Sequence, residues 1–516
     1  MPCAPEGARK GSLPSFSHTE AMKRLRTFWF GEVDLAPVAL FRILYGLQLF
    51  NWFWQLLPNL NAFFTDEGIF PRHQLIAFYP ERITLLNLVG EFWQVAVFWA
   101  FACAVAIALT VGWRTRLACF LAFVLLISFQ WRNPLILDGS DLVFRFVPLW
   151  LMFTRAGDLW SLDARLRRQP VTGFGWAFPI RILELQIAWI YLATGIEKLA
   201  GTLWVNGTAA YFALQLEHTF GRWWARPIAT QPILMHLISW GTIAAELSFL
   251  PLTIIPSNLT RVLAVIAAAG LHTGILLLMN VGNFPVIMLS ALVLFLPPSW
   301  VRRVVTGVWP RVSAVVLTRL PRGARQRWNS FLAATEAVPA TQPRAPRRAP
   351  SRMRWIQVIA LVAFAALVFD TAVPRQLESM RPSGDLGKLV RALSLDERWD
   401  MFSPDPAQSD GWMLGPAQLA DGTTFDLYTG GPVDNSSERY SDPLYSRWAK
   451  VFERIANSGY GDYRLEYGRY FCRVRNLHLQ PGQSPLDTFE LFYIERVVRM
   501  DEPDVRNEYH LWTHKC

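Results

Sequence analysis

Two ionisable residues stand side by side where an apolar run stops. In "LQIAWIYLATGIEKLAGTLWVNGTAAYF", residues 185–212, Glu197 and Lys198 close a long hydrophobic segment just ahead of Trp204, Asn206 and Gly207. A second apolar run, "AAGLHTGILLLMN", carries His272 eight residues before Asn280, roughly 12 Å along a helix at 1.5 Å per residue. A lysine amine removed from water can work as a neutral base, and a histidine beside it can hold or pass a proton. Two structural readings compete with this one. Lys198 and Trp204 have the residue types of an interfacial anchor, and His272 could be a hydrogen-bonded core histidine.

The elements that would position these groups are membrane helices. Of the 516 residues 52% are hydrophobic and only 17% are charged, against about 25% charged in ordinary soluble domains. Nine mostly apolar stretches are candidates to span a bilayer: 36–57, 92–112, 117–132, 141–156, 180–199, 233–255, 261–280, 284–299 and 355–374. Runs of this length exclude barrel strands. The predicted fold class is therefore an all-α polytopic membrane bundle of about nine transmembrane helices with a small α+β extracytoplasmic C-terminal domain.

Charge orients the bundle, because short basic loops stay on the cytoplasmic side. Lys23, Arg24 and Arg26 precede the first stretch, Arg114 and Arg116 follow the second, and Arg155, Arg165, Arg167 and Arg168 follow the fourth. Residues 301–354 carry twelve Arg against the single acid Glu336. Directly after a membrane stretch, this Pro-rich segment reads as a cytoplasmic linker near anionic headgroups, not as a nucleic-acid site. The expected organisation is a cytoplasmic segment 1–35, an eight-helix membrane domain 36–300, the linker 301–354, a ninth helix 355–374 and an outside domain 375–516. The tail's 22 acids against 17 bases fit that placement. Within it, "PLYSRWAKVFERIANSG" spaces apolar residues like one helix face, while "RYFCRVRNLHL" and "TFELFYIERVV" have the look of strands.

Other chemistry is thinly represented. There is no P-loop, GxGxxG, GxSxG or CxxC, and the first 30 residues lack the apolar core and cleavage site of a signal peptide. Cys103 and Cys119 fall in apolar stretches and read as packing residues. Cys472 and Cys516 share the outside domain, where compartment permits a bridge that spacing does not specify. "HLWTHKC" places His510, His514 and Cys516 close together but lacks the Glu of a zinc HExxH motif, so no metal site is assigned.

Four segments share one side of the predicted topology: "FFTDEGIFPRHQL", "WRNPLILDGSD", "EKLAGTLWVNGTAAYF" and "MNVGNF". With "FRILYG" and "LHTGILLLMNVGNFPVIML", they make the chain resemble the HTTM (horizontally transferred transmembrane) family, which includes vitamin K-dependent γ-carboxylases, over about residues 36–300. "RWDMFSPDPAQSDGWMLGPAQLADGT" resembles the post-membrane segment of bacterial members. The resemblance implies a lyase- or carboxylase-like enzyme using a reduced quinone of the vitamin K hydroquinone type. Its implied catalytic residues are Lys198 as base and His272, with Asn133 and Trp204 at the cofactor. It further implies a peptide or protein substrate on the extracytoplasmic side, with membrane lipid and no nucleic acid as the other surroundings. One position departs from the carboxylases: Pro134 follows Asn133 where they have a functional histidine. The alternative is a non-enzymatic membrane scaffold or small-molecule carrier.

This topology predicts that a cysteine placed at Ser437 is labelled by an impermeant maleimide on intact cells, whereas one at Ser351 is labelled only after lysis. The reverse pattern would invert every assignment of side.

Overall fold

The computed structural model describes residues 18–82, 84–167, 173–317, 358–359, 362, 384–392, 399, 401–435, 447–477 and 479–516. The ninth stretch, 355–374, and the linker beyond residue 317 lie almost wholly outside these. The membrane body is built from α1 (Ala36–Trp54), α2 (Phe92–Val111), α3 (Thr115–Arg132), α4 (Gly139–Leu151), α5 (Ala177–Leu199), α6 (Pro232–Ile254), α7 (Asn258–Leu278) and α8 (Phe284–Ala291).

Local sequence explains the boundaries. Glu91 and Gln94 form a capping box that starts α2, and Gly112 ends it in the left-handed conformation at φ 69°. A side chain there would also meet the Arg42 guanidinium, since a Cβ would lie 1.8 Å from its Nη1. Asp138 and Asp141 cap α4 in the same way. Pro297 and Pro298 break the chain after α8 and its 3-10 extension, so α9 (Pro298–Leu317) leaves at 116°. The basic segment expected to begin as a linker at residue 301 is therefore helical through Leu317.

Among the described residues, five helices are long and apolar enough to cross a membrane (α2, α3, α5, α6 and α7), or six if the bent pair is one span. The helices α1 and α4 coincide with two further expected stretches, but α4 has only 13 residues. Burial separates their roles. The window of α5 is 78% buried, whereas those of α6 and α7 are 22% buried and present Leu237, Leu259, Leu263 and Ile266 outward. A central helix with apolar neighbours exposed is the arrangement lipid permits.

The C-terminal part is α+β. Strands β1 (Glu32–Asp34) and β2 (Phe174–Trp176) pair within the membrane body. In the tail, β6 (Leu486–Val497) pairs antiparallel with β7 (Val505–Lys515) along one edge. Its other edge takes β3 (Ser409–Leu414) and then β4 (Pro416–Leu419), which pairs onward with β5 (Thr424–Asp426). Helix α10 (Trp448–Ala456) occupies the expected apolar stretch, with Val451 and Ile455 buried.

"RYFCRVRNLHL" is not a strand. Its residues 469–477 lie in α11 (Arg464–Leu477), where Tyr467 and Phe471, four apart, bring their rings to 5.0 Å. Gly468 lets this helix approach β7, because a Cβ there would sit 2.6 Å from Nδ1 of His514. Packing on the sheet outweighs the β-prone composition. Cys472 and Cys516 are disulfide-bonded and tie α11 to the end of β7, so Cys516 holds no free thiolate for a metal.

The tail docks on one end of the helix bundle. Arg447 Nη2 donates to Asp141 Oδ1 at 2.9 Å, both side chains being buried, and Trp52 Nε1 donates to the same oxygen at 2.6 Å. Trp448 packs on Phe63 at 5.0 Å and donates to Asn59, so it faces the membrane body as well as its own domain. In the loop after α1, burial would raise the Asp66 carboxyl, but hydrogen bonds and charge from Arg72, helped by Arg132, hold it below its ordinary value.

Removing Arg447 would leave Asp141 buried without its counter-ion. Arg447→Met should therefore lower the stability of the folded protein by about 3–5 kcal/mol. Thermal unfolding in detergent checks this, and an unchanged midpoint would show that the ion pair does not hold the two parts together.

Candidate active site

Lys198 sits in the last turn of α5 and is 4% exposed. Its Nζ donates to both carboxylate oxygens of Glu246 on α6, at 2.8 and 3.0 Å. The Trp204 ring covers the ammonium, with Nζ 5.1 Å from a ring centroid, in cation–π range. Trp204 reaches this position because Gly201 ends the helical run and a single turn, Thr202–Val205, follows.

His272 lies on α7, 2% exposed, and its Nε2 is 2.8 Å from the Tyr191 hydroxyl on α5. Tyr191 stacks on Phe249 with centroids 4.2 Å apart, and the His272 ring meets Phe284 edge-on at 5.6 Å. The other ring nitrogen, Nδ1, is buried and makes no hydrogen bond. A buried polar atom without a partner is costly.

Lys198, Glu246, Trp204, Tyr191, His272 and Phe284 border one cavity of about 740 Å³. Lys198, Glu246, Thr194, Tyr191 and His272 are among its polar groups, and α6, α7 and α8 supply much of its largely apolar wall. Small-molecule sites of this kind are apolar pockets of roughly 300–1,000 Å³ with a few convergent polar groups. On these terms the residues present fit an aromatic ring bearing oxygen substituents: largely apolar walls, an ammonium–carboxylate pair and a histidine at the border.

The structure thus brings Lys198, Trp204 and His272 together. Asn133 is placed elsewhere. Its amide nitrogen donates to the Phe63 carbonyl at 3.0 Å and its oxygen accepts from Leu135 N at 3.0 Å. It is fully buried, starts the turn Pro134–Ile136 and is not among the cavity's lining residues. Glu197, the acid that would oppose a neutral Lys198, is not its ion-pair partner; Glu246 is. Sequence reading missed Glu246 and Tyr191. The first had a usable signal, since it is the sole acid in the apolar run Pro232–Ile254, and an ionisable residue inside such a run is a functional candidate.

The fold and cavity define a polytopic helical membrane protein with an ionisable site at one end of its bundle. The chain matches the HTTM domain over residues 30–300, just over half its length, and it belongs to that family. Two proteins of Bacillus subtilis (strain 168) are similar over 208 residues each. The uncharacterized protein YitO is 27% identical over 38% of this chain and 65% of its own. The sporulation-delaying protein SdpB is 26% identical over 39% of this chain and 62% of its own. The chain thus spans somewhat under two thirds of either relative. No solved structure matches it.

The Lys198–Glu246 pair yields a test of its own. Lys198→Met should destabilise the protein by about 3–5 kcal/mol by leaving Glu246 unpaired, and adding Glu246→Leu should recover most of that loss. Thermal unfolding of both variants checks it; a double variant no more stable than the single one would mean that the carboxylate is compensated by other groups.

Proposed function

We propose that this protein is a membrane enzyme of the carboxylase-like, proton-abstracting type, working with a reduced quinone similar to vitamin K hydroquinone. The observation that carries this reading is the buried Lys198–Glu246 pair opening onto an apolar cavity beside His272. When bound, such a quinol supplies a weakly acidic hydroxyl and, with oxygen, the oxidising power that no protein side chain has.

The chain's own residues would hold and move protons. A salt-bridged ammonium cannot act as a base, so Nζ of Lys198 must first give its proton to Glu246. Poor solvation favours that transfer, because it replaces two buried charges by two neutral groups. Neutral Lys198 then takes up a proton at Nζ from the ligand against it. Tyr191 fixes the His272 ring through Nε2 at the border of the cavity. Trp204 covers the pair and keeps water from it.

The second substrate, a peptide or protein, would approach from the end where the C-terminal domain docks, on the extracytoplasmic side by the charge pattern. Pro134 cannot titrate or donate, and Asn133 is committed to backbone partners. Glutamate carboxylation as such is therefore not proposed.

The test is to purify the full-length protein, extract it with organic solvent for quinones, and follow oxidation of menadiol in air. Lys198→Arg keeps a charge opposite Glu246 but stays protonated to about pH 12, so it should retain menadiol and lose on the order of 10²–10⁴ in rate. Turnover at the parent's rate would remove the base role. Retained quinone with no turnover in the parent would favour the carrier alternative.

A further inference from the structure

The cavity is not closed by the membrane helices alone. Met401, Phe402, Ser403, Asp405, Lys450 and Glu453 of the C-terminal domain are part of its lining. One short segment among them is fastened to the turn that carries Trp204. Asp405 Oδ2 accepts from the Thr202 amide at 3.0 Å and from its hydroxyl at 3.2 Å, and Oδ1 accepts from the Leu203 amide at 2.8 Å. These amides open a helical turn, where N–H groups lack partners within the helix and a carboxylate is favoured.

Next to this clamp, Trp204 Nε1 donates to the Phe402 carbonyl at 2.7 Å. Contact is close enough that a Cβ on Gly201 would lie 1.8 Å from the Pro404 oxygen. Phe402 itself adopts φ 55°, a left-handed conformation that a phenylalanine keeps only when its surroundings impose it. The Phe402 ring is held edge-on by Phe220 at 5.5 Å. The indole thus has both ends specified: its N–H by the C-terminal domain, and its face by the Lys198 ammonium.

We propose that residues Met401–Asp405 form the roof of the site, with Asp405 as a positioning residue that fixes Trp204 over the Lys198–Glu246 pair. The inference rests on the Lys198 cavity being the functional site and gives the C-terminal domain a part in it. Docking of that domain and exclusion of water from Lys198 become one event. If the segment lifts away, the indole loses its acceptor and the ammonium loses its cover.

The experiment measures dinitrophenylation of Lys198 by 1-fluoro-2,4-dinitrobenzene in the detergent-solubilised full-length protein, resolved by peptide mass spectrometry. Lys388, whose side chain is 70% exposed, serves as the internal standard. Asp405→Ala should raise labelling of Lys198 about tenfold over the parent, as water and reagent gain access to a buried group. Asp405→Asn keeps one acceptor oxygen but turns its NH2 toward the second backbone N–H, so its labelling should fall between the parent and Asp405→Ala. Trp204→Ala should match Asp405→Ala, and the double variant should label no faster than either, since both act through one contact.

A parent-like rate in Asp405→Ala, or independent effects in the double variant, would overturn the proposal. Should Asp405→Ala also open the buried Cys103 and Cys119 to maleimide, Trp204→Phe decides. It keeps an aromatic ring and loses only the bond to Phe402, and a parent rate there would equally overturn the proposal. Labelling needs no ligand, so a parent that binds no quinone would defeat the proposed function without touching this readout.

Discussion

An ammonium and a carboxylate held 2.8 Å apart inside an apolar bundle constrain nearly everything around them. Neither charge can be left alone in that setting, because desolvation of a single ion costs several kcal/mol. Helices α5 and α6 must therefore keep Lys198 and Glu246 in register, and α5 is correspondingly the most enclosed of the long helices. The pair also explains how a lysine could serve as a base where it is paired with an acid. In the proposed function, proton exchange within the couple would give a neutral amine without moving a charge out to solvent.

The C-terminal domain belongs to this same end of the molecule. Its contacts, Arg447 with Asp141 in the first turn of α4, Arg496 with the Gln215 carbonyl and Asp410 with the His218 amide, hold the domain on one end of the membrane bundle. Arg473 adds bonds to the carbonyls of Glu67 and Gly68. A domain attached at so many points is part of the site's wall, not a tethered appendage. The resemblance of "RWDMFSPDP" to a post-membrane segment acquires a physical sense, since this stretch carries the residues that meet Trp204.

The resemblance that singles out Lys198 and Asn133 meets different geometry at the two: Lys198 borders the cavity and Asn133 does not. In the carboxylases to which the HTTM family is related, the residue after the matching asparagine takes part in function. Here Pro134 opens a 3-10 turn and Asn133 caps it, so the pair is spent on shaping the loop between α3 and α4.

Much of the fold follows from composition and periodicity. Long apolar runs must be helices in lipid because their backbone groups have no other partners, and the runs 92–112 and 117–132 fall on α2 and α3. Lys198 and His272 were legible as candidates for the same reason: an ionisable group in an apolar run is expensive and conspicuous. Tertiary structure alone decided their partners. Glu246 lies 48 residues from Lys198 and Tyr191 lies 81 from His272, and no local pattern encodes which helices become neighbours. The same holds for "RYFCRVRNLHL", whose aromatic and β-branched residues suit a strand until the sheet of β6 and β7 offers its face for a helix. Local propensity is worth tenths of a kcal/mol per residue, while burying an aromatic face is worth several times more, so packing determined the outcome.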